Sequence, residues 1–145
     1  MIQICQIEFG TPEYDEAVDL RYRVLRRPLG LEFTAEQLAA EYADFHLAAF
    51  NATGRLIGYL NLTPAEQEKV KMRQVAVEPQ VQGQGVGKAL VAASEALAKR
   101  HGFKKMTLHA RETAIPFYQK LGYKIVGDRF EEVCIPHFKM EKNLE

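Results

Sequence analysis

One segment constrains this chain more than any other: Val81-Gln82-Gly83-Gln84-Gly85-Val86-Gly87-Lys88-Ala89-Leu90. It follows a strand-like apolar run, Val75-Ala76-Val77, and a turn residue, Pro79, and it leads directly into a helical pattern. A glycine-rich junction between strand and helix presents backbone N–H groups with no side chains in the way. The positive end of the helix dipole lies behind them, so the natural guest is a phosphate.

The rest of the chain narrows the setting. Its 145 residues favour a single domain, residues 1–145, with a real core. Nineteen basic and 19 acidic side chains balance, which excludes a nucleic-acid or membrane-surface role built on bulk charge. No apolar run is long enough to span a bilayer. The stretch Met1-Ile2-Gln3-Ile4-Cys5-Gln6 lacks the layout of a secretory signal. Cys5 and Cys134 stand alone and form neither a disulfide framework nor a metal knuckle, so the expected compartment is the reducing cytoplasm.

Periodicity organises the remainder. A first strand is predicted over Ile2–Phe9, then a helix capped by Thr11 with Pro12 at its first position and running to about Arg26. Pro28 and Gly30 break it, and Thr34 with Gln37 forms a capping-box pattern for a short helix toward Glu41. Phe45–Phe50 and Arg55–Leu62 read as a hairpin around Asn51-Ala52-Thr53-Gly54. Further strands are expected at Val70–Val77, Lys105–Ala110, Lys124–Val126 and Val133–Met140. Helices are expected from Val86, with Val86, Leu90, Ala93 and Leu97 on one face, and at Thr113–Leu121. The order β-α-α-β-β-β-α-β-α-β-β describes a mixed α/β sheet without a linker.

Two familiar phosphate loops fail on spacing. Gly83 precedes Gly87-Lys88 by one residue too few for a Walker loop, and Ala89 supplies no hydroxyl. A dinucleotide fingerprint would need glycine where Lys88 or Leu90 stands. The pattern that fits is Q-x-x-G-x-G, met by Gln82, Gly85 and Gly87. Downstream, Leu108-His109-Ala110-Arg111-Glu112-Thr113-Ala114-Ile115-Pro116-Phe117-Tyr118-Gln119-Lys120-Leu121-Gly122-Tyr123 reads as a strand, a helix bearing Phe-Tyr, and Leu-Gly-aromatic. In these two segments, in this order and separation, the chain resembles the GNAT superfamily of N-acetyltransferases. Its tail, Glu131 to Phe138 with Ile135-Pro136-His137, resembles an uncharacterised bacterial subgroup of that family.

The resemblance implies a single-domain GNAT-type mixed sheet with splayed central strands and acetyl-CoA as cosubstrate. The loop amides of Gly83, Gln84, Gly85, Val86, Gly87 and Lys88 would grip the pyrophosphate, with Gln82 adding a side-chain donor. Main chain from Gln74 through Val75 and Ala76 to Val77 would pair with the pantetheine arm, and one of its N–H groups would polarise the thioester carbonyl. The Lys88 side chain reads better as an ordinary solvated helix residue. Tyr118 is implied as the acid that protonates the thiolate; its other reading is a core tyrosine beside Phe117 and Leu121. Some family members carry a glutamate in the strand before the loop, but here Lys71-Met72-Arg73-Gln74-Val75-Ala76-Val77 has no carboxylate before Glu78.

The remaining candidates for the base are His137, Glu132, Glu112, His109 and His46. His137 is preferred because its imidazole has nearly the right unperturbed pKa. The bland readings are a structural histidine for His137, a satisfied core group for His109, and capping or turn duty for His46 and Asp44. Arg73 and Arg111 are charges in or beside apolar strands; they suit an acidic acceptor, a coenzyme A phosphate, or ion pairs with Glu112 or Glu78. Arg23, Arg26 and Arg27 read either as the lip of an anionic acceptor site or as a solvated helix face. The expected activity is transfer of an acetyl group to a primary amine by direct attack in a ternary complex. The alternative is a non-catalytic acetyl-CoA sensor. Sheet-edge pairing allows a homodimer.

Overall fold

The computed structural model describes residues 1–144. Seven strands, β1 (Gln3–Ile7), β2 (Phe45–Phe50), β3 (Leu56–Pro64), β4 (Lys69–Val77), β5 (Lys105–Arg111), β6 (Lys124–Glu132) and β7 (Ile135–Asn143), form a mixed sheet in the order β1-β2-β3-β4-β5-β7-β6. The α-helices are α1 (Pro12–Arg21), α2 (Ala35–Ala39), α3 (Val86–Arg100) and α4 (Ile115–Lys120). The chain divides into two compact units, one of Met1–Thr63 with Gln74–Ser94 and one of Pro64–Arg73 with Glu95–Glu145, so β4 and α3 each contribute to both. No helix among the described residues is long and apolar enough to cross a membrane.

In the first unit β1, β2 and β3 pair antiparallel, with Gln3 opposite Phe50 and Phe45 opposite Leu62. Asn51 makes the hairpin turn by accepting from the N–H groups of Thr53 and Arg55 with its side-chain oxygen. The Thr11 side chain accepts from the N–H of Tyr14 to start α1, and Thr34 with Gln37 completes the capping box of α2. Ile7, Ala17, Leu20, Ala48, Leu56, Tyr59 and Ala76 form a core against which Val24 and Leu25 pack. Gly58 has a steric duty: a Cβ there would lie 2.9 Å from both Val86 and Leu90. Its absence lets the first turns of α3 press onto β3.

The second unit is a parallel pair, Lys69–Met72 of β4 against Lys105–Leu108 of β5, extended antiparallel by β7 and then β6. Met106, Leu108 and Ala110 of β5 turn inward while Thr107, His109 and Arg111 occupy the other face, as strand pleating requires. Glu95 of α3 accepts from the hydroxyl of Tyr123 (2.8 Å) and the ammonium of Lys142 (2.9 Å). Gly122 ends α4 in the left-handed region.

Four elements depart from expectation. After Arg21 the first helix continues as a π-helical turn, Tyr22–Arg26, and a 3-10 turn, Arg27–Leu29. The helix expected at Thr113–Leu121 opens with a 3-10 turn, Glu112–Ala114. The strand expected at Lys124–Val126 runs on to Glu132, and Val133 does not begin the next strand. Val133 and Cys134, both at positive φ, are the turn between Glu132 and its partner Ile135. A β-branched residue in such a turn is locally unfavourable; the pairing of β6 with β7 overrides that preference.

Candidate active site

The glycine loop is built from the outside inward. Pro79 opens a 3-10 turn, Pro79–Val81, Gln82 is extended, and Gly83 and Gly85 adopt φ of +84° and +88°, which side chains other than glycine resist. The N–H of Gln82 donates to Pro79 (3.4 Å), that of Gln84 to Val81 (3.2 Å) and that of Ala89 to Gly85 (3.0 Å). Among the described residues the N–H groups of Gly83, Gly85, Val86, Gly87 and Lys88 meet no backbone acceptor. No protein atom lies within 4 Å of where a Cβ would stand on Gly83 or Gly85. Free donors, open space and the N-terminus of a 15-residue helix therefore coincide. The Gln84 amide is spent inside the turn. The Gln82 side chain, expected to reach a ligand, donates instead to the Val77 carbonyl (3.1 Å). The Lys88 side chain is exposed.

Immediately before the loop, β4 is irregular. Gln74 has φ of +56° inside a strand, a conformation that marks a local break in pairing. Its side-chain oxygen is buried and has no partner. Val75 and Val77 are half-buried and Ala76 is buried. Glu78, the first carboxylate after β4, is 2% exposed; one oxygen is held by Arg23 (2.6 Å), and the other lies 3.5 Å from Arg55 without a hydrogen bond. That occupation removes it both as a base and as the partner considered for Arg73 or Arg111.

Tyr118 lies in α4 and is 7% exposed. Its ring meets Phe117 and Tyr123 edge-on, at 5.0 and 5.8 Å between centroids. Burial alone raises its pKa, to about 12. The hydroxyl has no hydrogen-bond partner among the described residues, whereas Tyr14, Tyr59 and Tyr123 each bond a side chain.

The polar face of the second unit carries the histidines. His137 is buried and stacks on Phe130 (5.9 Å). Its Nδ1 lies 2.8 Å from the Ile135 carbonyl, which can only accept, so Nδ1 bears the proton and Nε2 the lone pair of the neutral ring. Nε2 faces a Glu132 oxygen at 3.7 Å. The other Glu132 oxygen lies 3.5 Å from His109 Nδ1, which in turn sits 3.4 Å from Lys71 Nζ. Burial and the charge of Lys71 lower the His109 pKa; burial and the charge of Arg73 lower that of Lys71. Lys71 was missed by sequence reasoning. Its place two residues before Arg73 on an alternating strand was the available signal.

Other candidates fall away. His46 is buried, donating from Nε2 to the Glu41 carbonyl (3.0 Å) and accepting from the Tyr59 hydroxyl (2.6 Å). Glu112 is exposed and pairs with Arg129 (3.5 Å). Arg23 is bound to Glu78 and Asp19. Arg26 is half-buried over Phe33, and Arg27, over Tyr22, is exposed as a solvated face would be.

Comparison with known proteins places this arrangement. Residues 20–144 match the family model of the acetyltransferase (GNAT) domain. A UPF0039 protein of Schizosaccharomyces pombe is 33% identical over 101 residues, covering 68% of this chain and 67% of that one. In three further curated relatives the match spans about half of their length. The fold superposes on that of a candidate N-acetyltransferase from Lactobacillus plantarum with a TM-score of 0.88, at 22% identity and 99% coverage of both chains. It also superposes on an aminoglycoside 6'-N-acetyltransferase solved with coenzyme A, with a TM-score of 0.83, 20% identity and coverage of 99% and 97%. The chain belongs to the GNAT acetyltransferase family and is an acyltransferase of that kind.

Proposed function

We propose that the protein, acting as a single N-acetyltransferase domain in the cytoplasm, transfers the acetyl group of acetyl-CoA to a primary amine by direct attack in a ternary complex. The observation that carries this reading is the set of unengaged amides at Gly83, Gly85, Val86, Gly87 and Lys88. They suit a diphosphate, and Gly83 and Gly85 leave room for it. The main chain of Gln74–Val77 would hold the pantetheine arm, and the unpartnered Gln74 oxygen is suited to an amide N–H of that arm.

The chemistry divides between named groups. His137 takes a proton from the acceptor ammonium at Nε2, its Nδ1 proton being held by Ile135, and Glu132 stabilises the imidazolium. The free amine nitrogen bonds to the thioester carbon while an N–H of β4 supports the oxygen's developing charge. As the C–S bond breaks, Tyr118, kept protonated by burial, donates to the leaving sulfur. The nitrogen, cationic after attack, gives up its second proton as the C–S bond breaks; that proton restores Tyr118, which has given its own to the sulfur, and the proton taken by His137 passes to solvent.

Gly85→Val tests the loop. A branched side chain at φ of +88° occupies the ligand's space, so calorimetry should find coenzyme A binding abolished while circular dichroism stays native. Undiminished affinity would overturn the assignment. The lack of a free carboxylate in β4 favours a second reading, a sensor that binds acetyl-CoA without turnover; thiol release with any amine of a panel rejects it.

A further inference from the structure

The second unit carries more positive charge on one face than its own carboxylates balance. Lys71 and Arg73 lie two apart on β4, His109 and Arg111 two apart on β5, and each pair therefore shares a face. Contact between Lys71 and His109 shows that the two strands present the same face. His137 stands opposite Arg111 in the register and Lys139 opposite His109, so they join it. The acids on hand are already engaged: Glu132 with the two histidines, Glu141 with Lys105 and Lys139, Glu112 with Arg129. Arg73 and Arg111 have no ion pair or side-chain hydrogen bond within the described residues, although both are half-buried on strands.

Their position is also particular. The registered pairing of β4 with β5 stops at Met72 and Leu108. Arg73 is the next residue of β4, directly before the left-handed Gln74, and Arg111 is the last residue of β5. Like charges gathered at an irregular strand end cost stability, and a fold keeps such a local conflict where a ligand resolves it. Guanidinium groups bind carboxylates and phosphates through paired, planar hydrogen bonds.

We infer that Arg73 and Arg111 form a clamp for an anionic group, carboxylate or phosphate, carried by the amine acceptor. The inference rests on the transferase reading for the fate of the bound molecule, not for its capture. Within this face His137 offers the base, so an amine tethered to the clamped anion has a proton acceptor on the same surface.

Binding and turnover test it separately. Glutamate and inorganic phosphate, titrated into the full chain at constant ionic strength, should each give saturable amide NMR shifts at residues 71–73, 109–111 and 137. The loop at 83–88 is resolved from these in the same spectra. Arg73→Gln with Arg111→Gln should erase those shifts, whereas Arg129→Gln, which alters only the exposed pair with Glu112, should keep them; thermal unfolding checks that each variant is folded. In thiol-release assays, amines compared with and without a carboxylate or phosphate should show about a tenfold or larger kcat/KM preference for the anionic member. That ratio should fall toward one in the double variant and recover in part with Arg73→Lys. The carboxylate and phosphate arms decide which anion is native. Absence of shifts at these residues, shifts that survive the double substitution, or equal kcat/KM for neutral and anionic amines overturns the clamp. Anion binding at these residues with no thiol release from any amine overturns the transferase reading and leaves the clamp standing.

Discussion

The two units handle charge in opposite ways. In the first, Arg21 is fully buried and held by both oxygens of Glu41 (2.9 and 2.6 Å), with Phe33 and Tyr59 against its guanidinium. The same carboxylate accepts from the Tyr14 hydroxyl (2.7 Å), and His46 ties the Glu41 carbonyl to Tyr59. Arg23 and Arg55 pair with the buried Glu78 more loosely, from partly exposed positions. In the second unit, Arg73 and Arg111 are half-buried with no acid paired to them, and the Tyr118 hydroxyl has no protein partner, among the described residues. A buried charge without a partner would cost several kcal/mol, so a network that closes on itself is architecture. Groups left open at the margin of solvent can still be completed by a ligand. The contrast concerns these charged groups alone: Arg21 is neutralised by Glu41 although its Nε has no hydrogen-bond partner, whereas Arg73 and Arg111 meet no acid among the described residues.

Breaking the closed network should produce the largest effect. Glu41→Gln strands the Arg21 charge, and chemical denaturation should show a loss of about 3–5 kcal/mol. Next comes the open tyrosine. Tyr118→Phe should lower kcat about 100-fold or more with little change in KM, as expected for a group acting only in the transition state. Its stability should hardly move because no bond is lost, whereas Tyr14→Phe, which loses a bond to a carboxylate, should cost about 1.5–3 kcal/mol. Equal stability losses in the two variants would erase the distinction drawn between the units.

The smallest effect is on pH. Burial lowers the pKa of His46 below its ordinary 6.5, so the unfolded chain binds its proton first as pH falls. His46 therefore contributes stability above pH 6.5 that is lost as pH drops through its folded pKa. His109 shifts the same way from a more exposed site. Thermal melts between about pH 7 and 5 should fall with acid, and His46→Gln should flatten that slope more than His109→Gln. A steeper slope in His46→Gln would reverse the assignment.

Much of this was legible from local signals. Thr11, Thr34 with Gln37, and the Asn51 turn each act within four residues of themselves, and the structure places each as read. The glycine loop was legible for the same reason: its φ angles and its free amides follow from neighbours in sequence. The turn at Val133-Cys134 was not, since both residue types favour strand and only pairing of β6 with β7 places them at positive φ. Nor could periodicity assign Glu78. As a carboxylate at a strand end it suited an ion pair with Arg73 or Arg111, yet its partners are Arg23, 55 residues earlier, and Arg55.

By itself the sequence determined the succession of elements, their caps and the glycine-rich loop before α3, because hydrogen bonds along a helix, in a turn or at a cap are short-range and repeat with the chain's own period. Only the tertiary structure decided which charges are spent and which are free. Pairing energies depend on distance and burial between residues far apart in sequence, and no local pattern records that Arg23 reaches Glu78 while Arg73 reaches no acid among the described residues.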